Sequence, residues 1–330
     1  MSLLRKLGLI FALCSFSVLS AGAHHGGTSI SQGPGTPIET NTPITLPKGS
    51  AVVFTRAEIA KFRKFSREDP NNIDSFRFYQ LGASYGLTDS LMATVILPYN
   101  AKSQDGPGGG TARGLGDVTF MLNLGLNYDG VDGLRLNTAE DVAVDIGESG
   151  KWYFGAYGGL TAPTGRSDID LGLGVDGGLQ PGFGSVTGTI GINAQKALSS
   201  RLSLLADTSI QMFTPVSGGD KFGNEFRANL AGVYNLHSNS DEGATLKQWD
   251  ASLELNYLKL SRDETAGVAD LGTGGSILYI TPGMRFQVGD VNLGAGVKLP
   301  LLKGLNERNL QQGSEGLEKY RLILTSSIAF

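Results

Sequence analysis

The sequence predicts an all-β protein, a transmembrane antiparallel up-and-down β-barrel of about 12 strands. Three observations predict it. From Ala51 to Phe330, segment after segment places apolar residues at every second position, the period of a strand whose two faces meet different surroundings. Beyond the first twenty or so residues, no apolar run is long enough for a helical span. The chain also ends on such a strand, Lys319–Phe330 (KYRLILTSSIAF), with Tyr320, Leu322, Leu324, Ser326, Ile328 and Phe330 on one face. Left at the edge of a soluble sandwich, that strand would invite aggregation. Paired with the first strand of a closed barrel, it has no free edge and its apolar wall meets lipid. Phe330, with apolar residues at alternate positions before it, is the expected signal for the barrel assembly machinery.

The first segment, Met1–Ala23, reads as a signal peptide. Arg5 and Lys6 precede the apolar run Leu7–Leu19, and Ala21-Gly22-Ala23 supplies small residues for cleavage after Ala23. Leu13 before Cys14 is wrong for lipid attachment. Cys14 is the sole cysteine, so the mature chain is expected to have neither disulfide nor thiolate chemistry. Without Arg5 and Lys6, the 27 basic residues fall to 25 against 31 acidic, a charge of −6. No basic footprint for nucleic acid is present. Residues 24–49, rich in Pro, Gly, Ser and Thr, read as a disordered periplasmic arm. His24 and His25 at its tip are candidate Cu(II) or Zn(II) ligands, and residues 50–330 form the barrel.

The strands follow in order. Ala51–Lys61 alternates, and Arg77–Leu87 carries Tyr79, Leu81, Ala83 and Tyr85 on one face. A tight turn at Thr88-Asp89 leads to Leu91–Tyr99. After the glycine-rich loop Gln104–Arg113 comes Gly114–Tyr128, the clearest alternation, with Val118, Phe120, Leu122, Leu124 and Leu126 opposite Asp117, Thr119, Met121, Asn123 and Gly125. Asp129–Gly150 is a long acidic connection where a short turn is expected. Strands at 152–161, 186–194, 202–212, 226–234, 249–257, 278–286 and 291–299 precede the last. An even count puts both termini in the periplasm. Aromatics near strand ends, such as Tyr85, Tyr128, Trp152, Tyr234 and Phe286, suit interfacial girdles.

If the apolar faces meet lipid, the opposite set lines the lumen: Arg56, Arg77, Arg227, Arg285, Lys298 and Arg321 against Glu58, Asp117, Asp207, Glu225, Asp250 and Glu254. The balance of sign fits a polar channel for a small neutral or amphipathic solute, or a sealed ion-pair network. Tyr153 and Tyr157 face inward, where they could stack on an aromatic solute. Two other functions compete: a sealed barrel anchoring a metal-binding arm through His24 and His25, and a lipid hydrolase. The hydrolase lacks its base, because His237, the one histidine outside the arm, is expected in a periplasmic turn.

Three segments carry a family resemblance: Gly114-Leu115-Gly116-Asp117, Ala162-Pro163-Thr164-Gly165, and Gly178-Leu179-Gln180-Pro181-Gly182-Phe183-Gly184. With them the chain, from about Ala51 to Phe330, resembles the outer-membrane transporter family named for the meta-pathway of phenol degradation. That resemblance implies a barrel for uptake of hydrophobic or aromatic compounds, with Asp117 as an inward carboxylate near the outer rim. Phe183, where the family carries a small hydroxylated residue, and the Asp129–Gly150 insertion depart from its pattern. The expected protein is a non-enzymatic outer-membrane channel without cofactor. Its partners would be membrane lipid, the secretion and assembly machineries, and a small solute.

Overall fold

The structure is a computed structural model that describes residues 33–64, 73–104, 110–143, 150–171, 177–216, 219–241, 243–306 and 318–330. The predicted signal peptide, His24 and His25 lie outside the described residues. Among the described residues sixteen strands form, in order β1 (Ala51–Phe62), β2 (Ile73–Thr88), β3 (Leu91–Gln104), β4 (Thr111–Leu115), β5 (Val118–Asp129), β6 (Gly133–Leu136), β7 (Trp152–Ala162) and β8 (Thr187–Ala197). They continue with β9 (Leu202–Phe213), β10 (Glu225–Ser238), β11 (Leu246–Leu260), β12 (Glu264–Thr265), β13 (Val268–Ala269), β14 (Gly275–Val288), β15 (Val291–Leu305) and β16 (Glu318–Ala329). β4 and β5 are two halves of one wall strand, broken at Gly116-Asp117, and both pair with β3. β6 and the β12–β13 ribbon are accessory, which leaves a twelve-stranded antiparallel wall. β16 pairs with β1 from Val52↔Ala329 to Phe62↔Glu318, and the ring is closed.

The alternation has the sense expected for a barrel in lipid. Leu81, Leu97, Phe120, Leu122, Leu160, Ile190, Ile192 and Leu253 are exposed on the outside, while Glu58, Arg56, Asp250 and Glu254 are buried within. Wall strands run to 16 residues, longer than the roughly ten expected for a spanning strand. On β10, Phe226 and Tyr234 mark the two aromatic levels of one strand. Their eight-residue separation is about 26 Å along the strand, or roughly 20 Å along the membrane normal at the usual tilt.

The two ends of the barrel differ. At one, β2–β3, β8–β9, β10–β11 and β14–β15 are joined by connections of two to seven residues; at the other, connections reach 24 residues. Short turns mark the periplasmic side of such barrels and long loops the outer side. β1 starts and β16 ends at the turn end.

The 129–150 insertion, whose course the sequence leaves open, folds on the turn end. β6 returns along β5, pairing Leu126–Asp129 with Gly133–Leu136. A short helix, α1 (Ala139–Ala143), follows. Thr138 caps it: the Thr138 amide and hydroxyl both donate to Asp141, which also accepts from Asn127 and, at 2.7 Å, from Lys151. This is the acid's half of a capping box, with the carboxylate reaching back to the threonine amide. Burial raises the Asp141 pKa, but Lys151 and Thr138 outweigh it and hold the carboxyl below its ordinary value. At the hairpin the Asp132 and Val131 amides lower Asp129 likewise. A carboxylate whose pKa is depressed by folding contributes stability above its unfolded pKa, near 4, and loses that contribution as pH falls through the folded value. Amide protection across Gly133–Ala143 is therefore expected to be full at pH 6 and to fall below pH 4. Protection that, after correction for intrinsic rates, is unchanged at pH 3 would contradict this.

Candidate functional site

The inward face of the barrel is polar, and one wall carries a ladder of alternating charge. On β1 and β16, Arg56 donates to Glu58 at 3.0 Å, and Arg321 donates to the other Glu58 oxygen at 2.7 Å. Arg321 also grips Glu318 with two nitrogens, at 2.6 and 2.9 Å, and the Tyr279 hydroxyl donates to Glu318. Each charge has an opposite neighbour because an isolated ion in this interior would be costly. The lower end of the ladder is completed by Glu39, which is paired with both Arg56 and Lys298. Glu39 belongs not to the wall but to the arm.

Residues 33–49 are thus not the mobile periplasmic arm expected from their composition. They enter the lumen. From Ser50 the segment passes the turn end, where the Thr45 hydroxyl donates to the Asp89 carbonyl and the Lys48 amide to the Asp89 carboxylate. It rises past Asn193, which donates to the Thr42 carbonyl at 3.1 Å, and past Gln195, which accepts from the Thr42 hydroxyl. Its apex is Glu39–Asn41. Glu254 takes the amides of Ile38, Glu39 and Thr40 and the Thr40 hydroxyl, all within 3.1 Å. The segment then descends. Arg285 donates to the carbonyls of Thr36 (2.8 Å) and Pro37 (2.7 Å), and Asp250 accepts the Gly35 amide. An extended chain without internal ladder needs partners for every buried amide and carbonyl, and the charged lining provides them.

Space for it comes from glycine. Ile38 is fully buried against β14 and β15, where a Cβ at Gly283 would stand 2.5 Å from its Cγ1 and one at Gly296 would stand 3.2 Å from its Cγ2. A Cβ at Gly155 would meet Pro43 at 3.0 Å, and one at Gly86 would meet the Pro47 carbonyl oxygen at 2.2 Å.

Above the arm the lumen keeps two small, partly open pockets. One is lined by Glu39, Asn41, Tyr157, Asp207, Arg227, Tyr279 and Lys298 among others. The other, toward the loop end, has Phe78, Ile96, Met121, Phe183, Lys102 and Asp117 in its wall. Thr189 and Gln211 line both. The lower chamber is polar: Tyr157 donates to Asp207 at 2.7 Å, Asn229 donates to the second Asp207 oxygen, and Glu225 pairs with Arg227. The upper chamber is mixed, with apolar rings and a buried Lys102 that donates to the Gly178 carbonyl.

Asp117 is where the three motif segments meet. Its carboxylate accepts the Gly165 amide at 2.7 Å and the Phe183 amide at 2.6 Å, which binds the 162–165 and 178–184 segments to the break between β4 and β5. Side chains do not fit there: a Cβ on Gly182 would lie 2.6 Å from Asp117 Oδ1, and one on Gly165 would lie 2.6 Å from the Gly116 backbone. Phe183 packs edge-on against Phe213 and Phe222.

Of the lumen residues expected from the sequence, Arg56, Glu58, Asp117, Tyr153, Tyr157, Asp207, Glu225, Asp250, Glu254, Arg285, Lys298 and Arg321 are buried inside, and Arg227 is half-buried beside Glu225. Arg77 is a correction. It shares the parity of Tyr79 and Leu81, and lies opposite Ile59 on the outer face near the loop end, where its guanidinium can reach the interfacial region. His237 is the second correction: it lies within β10, paired with Trp249, rather than in a turn. It is exposed at the turn end, far from an outer-rim hydrolase site. Tyr153 is buried, and of the two tyrosines it is Tyr157 that reaches a cavity. Among the lining residues missed are Glu39, Asn41, Lys102, Tyr279 and Glu318. Parity flagged Lys102, which continues the inward set of β3 past Asn100; for Glu39 no periodic signal exists. Among the described residues, no three His, Cys, Asp or Glu side chains are grouped to hold a metal ion.

Over residues 70–314 the sequence matches the protein family described as "Putative MetA-pathway of phenol degradation". The chain belongs to this family. The three motif segments gathered at Asp117 all fall within the part matched to the phenol-degradation family. Among solved structures, the chain is similar to the COG4313 outer membrane channel from Pseudomonas putida F1, at 17% identity and a TM-score of 0.60, covering 89% of this chain and 100% of that one. That likeness is one of fold. Weaker matches include the TodX deltaS2S3 mutant monoaromatic hydrocarbon channel, at 10% identity and a TM-score of 0.42 over 86% of this chain and 90% of that one. The CymD monoaromatic hydrocarbon channel aligns at 9% identity and 0.37 over 86% and 88%. No curated protein matches the sequence.

Proposed function

We propose that this barrel is an outer-membrane channel for small solutes of hydrophobic or aromatic character, and that residues 33–49 are its gate. The observation that carries this reading is the pair of adjoining pockets between the loop end and the arm apex, which share Thr189 and Gln211 in their walls. A barrel whose only task was anchorage would gain by filling that space, since interiors pack to high density. The arm is held by hydrogen bonds and ion pairs, which can be exchanged, rather than built into the sheet. The mixed lining of the upper chamber suits a solute with an apolar ring and a polar substituent. Membership of the phenol-degradation family supports the same class of solute.

Planar-bilayer recording tests the proposal. The full mature chain should show small, infrequent openings. A chain lacking residues 24–48 should show frequent discrete conductance, because the arm then no longer fills the turn-end half of the lumen. If the shortened chain folds, as judged by heat-modifiable migration, and stays silent, the channel reading fails.

A further inference from the structure

The arm's apex carries one carboxylate, and its setting is that of a bound ligand. Glu39 is buried, with Arg56 on one side and Lys298 on the other. Both Glu39 and Lys298 line the lower cavity, and Arg56 is buried beside Glu39. The Lys298 ammonium also lies 4.7 Å from the centroid of the Tyr279 ring. The two cations differ in what they keep if the arm withdraws. Arg56 retains Glu58 at 3.0 Å on its own strand. For Lys298, Glu39 is the carboxylate in contact, so departure of the arm leaves a buried ammonium against a ring face. That state is penalised unless another anion arrives.

The geometry points to a solute-binding site at Arg56 and Lys298 that takes a small aromatic carboxylate, with Glu39 as the built-in competitor that a solute of this kind displaces. This rests on the channel reading above and names the class of solute that opens it. The exchange conserves charge: one carboxylate leaves the socket and another enters. The incoming ring has Tyr279 and Tyr157 beside it on the same cavity wall, and Lys298 can hold the carboxylate while facing a ring. A neutral solute of the same shape lacks the means to release Lys298 from Glu39. A tethered carboxylate competes at an effective concentration on the order of millimolar, so the displacing solute must act in that range.

Benzoate and its neutral isostere benzamide are the probes. With the full mature chain in a planar bilayer, about 10 mM benzoate should raise open probability several-fold, roughly as expected for a competitor at the tether's effective concentration, and benzamide should leave it unchanged. In Glu39→Gln the resident competitor is gone. Basal opening should rise, and half-saturation by benzoate, measured by titration calorimetry in detergent, should fall about tenfold. Lys298→Met should abolish benzoate binding in that background. Equal responses to benzoate and benzamide, or no binding of benzoate to Glu39→Gln, would overturn the proposal. If the chain lacking residues 24–48 conducts while benzoate has no effect on the full chain, the channel reading stands and the carboxylate socket falls. Should Glu39→Gln fail to fold, the benzoate–benzamide comparison on the unmodified chain still decides.

Discussion

Glu254→Leu is expected to empty the lumen of its arm. The side chain is similar in volume, so the wall should close normally, yet the amides of Ile38, Glu39 and Thr40 lose their shared acceptor. An orphaned buried amide costs about 1–3 kcal/mol. Three of them weaken docking by at least roughly 3 kcal/mol, two orders of magnitude in the ratio of docked to undocked arm. Hydrogen exchange should show the Thr40 amide passing from protected to nearly solvent-like, and bilayer recordings should show a conducting state as common as in the arm-deleted chain. A protected Thr40 amide in this variant would mean that Arg285 and the Glu39 pairs hold the arm alone.

The second large effect is steric. Gly283→Val introduces atoms where Ile38 sits, with the Cβ alone 2.5 Å from Ile38 Cγ1 and 2.7 Å from Ser252 Oγ. Overfilling a packed site costs about 1–3 kcal/mol, and the arm, not the hydrogen-bonded wall, is the part free to move. Gly283→Val should therefore undock the arm, and Ile38→Ala in the same chain should restore docking by vacating the contested volume. Coupling of about 1–2 kcal/mol between the two changes is expected for residues in direct contact. Additive effects in exchange or conductance would show that Ile38 does not occupy this socket when the protein is in a membrane.

How much of this was legible in the residues depends on whether periodicity or tertiary partnership decides them. The wall strands follow from alternation, since lipid on one side and a polar lumen on the other sort Leu253 from Glu254 at every step. Arg77 shows that parity outranks chemistry on a wall strand: beside Tyr79 and Leu81 it can only point outward. The arm failed for a different reason. A Pro- and Thr-rich segment with no apolar period cannot fold on itself, but it can be folded by a lining that meets its amides and carbonyls one by one. The trace of that lining was present as Gly155, Gly283, Gly294 and Gly296 at inward positions, where a barrel meant to fill itself with side chains would place larger residues. Asp117 was recognisable as an inward acid. That it binds two distant backbone amides rather than a solute depends on loops whose course no local pattern encodes. Nor did anything in the 129–150 stretch reveal the hairpin, although Thr138 and Asp141 hold the spacing of a helix cap.

The path of the arm also bears on how such a molecule is made. Its ascending limb leaves from Ser50 and its descending limb passes Gly35 beside Asp250, so both limbs point back to the same mouth. A loop of that shape never threads the cylinder from one opening to the other. It can slip into a finished ring and be drawn out again while every seam between neighbouring strands stays zipped, so biogenesis and operation need the same small movement and neither requires the wall to part.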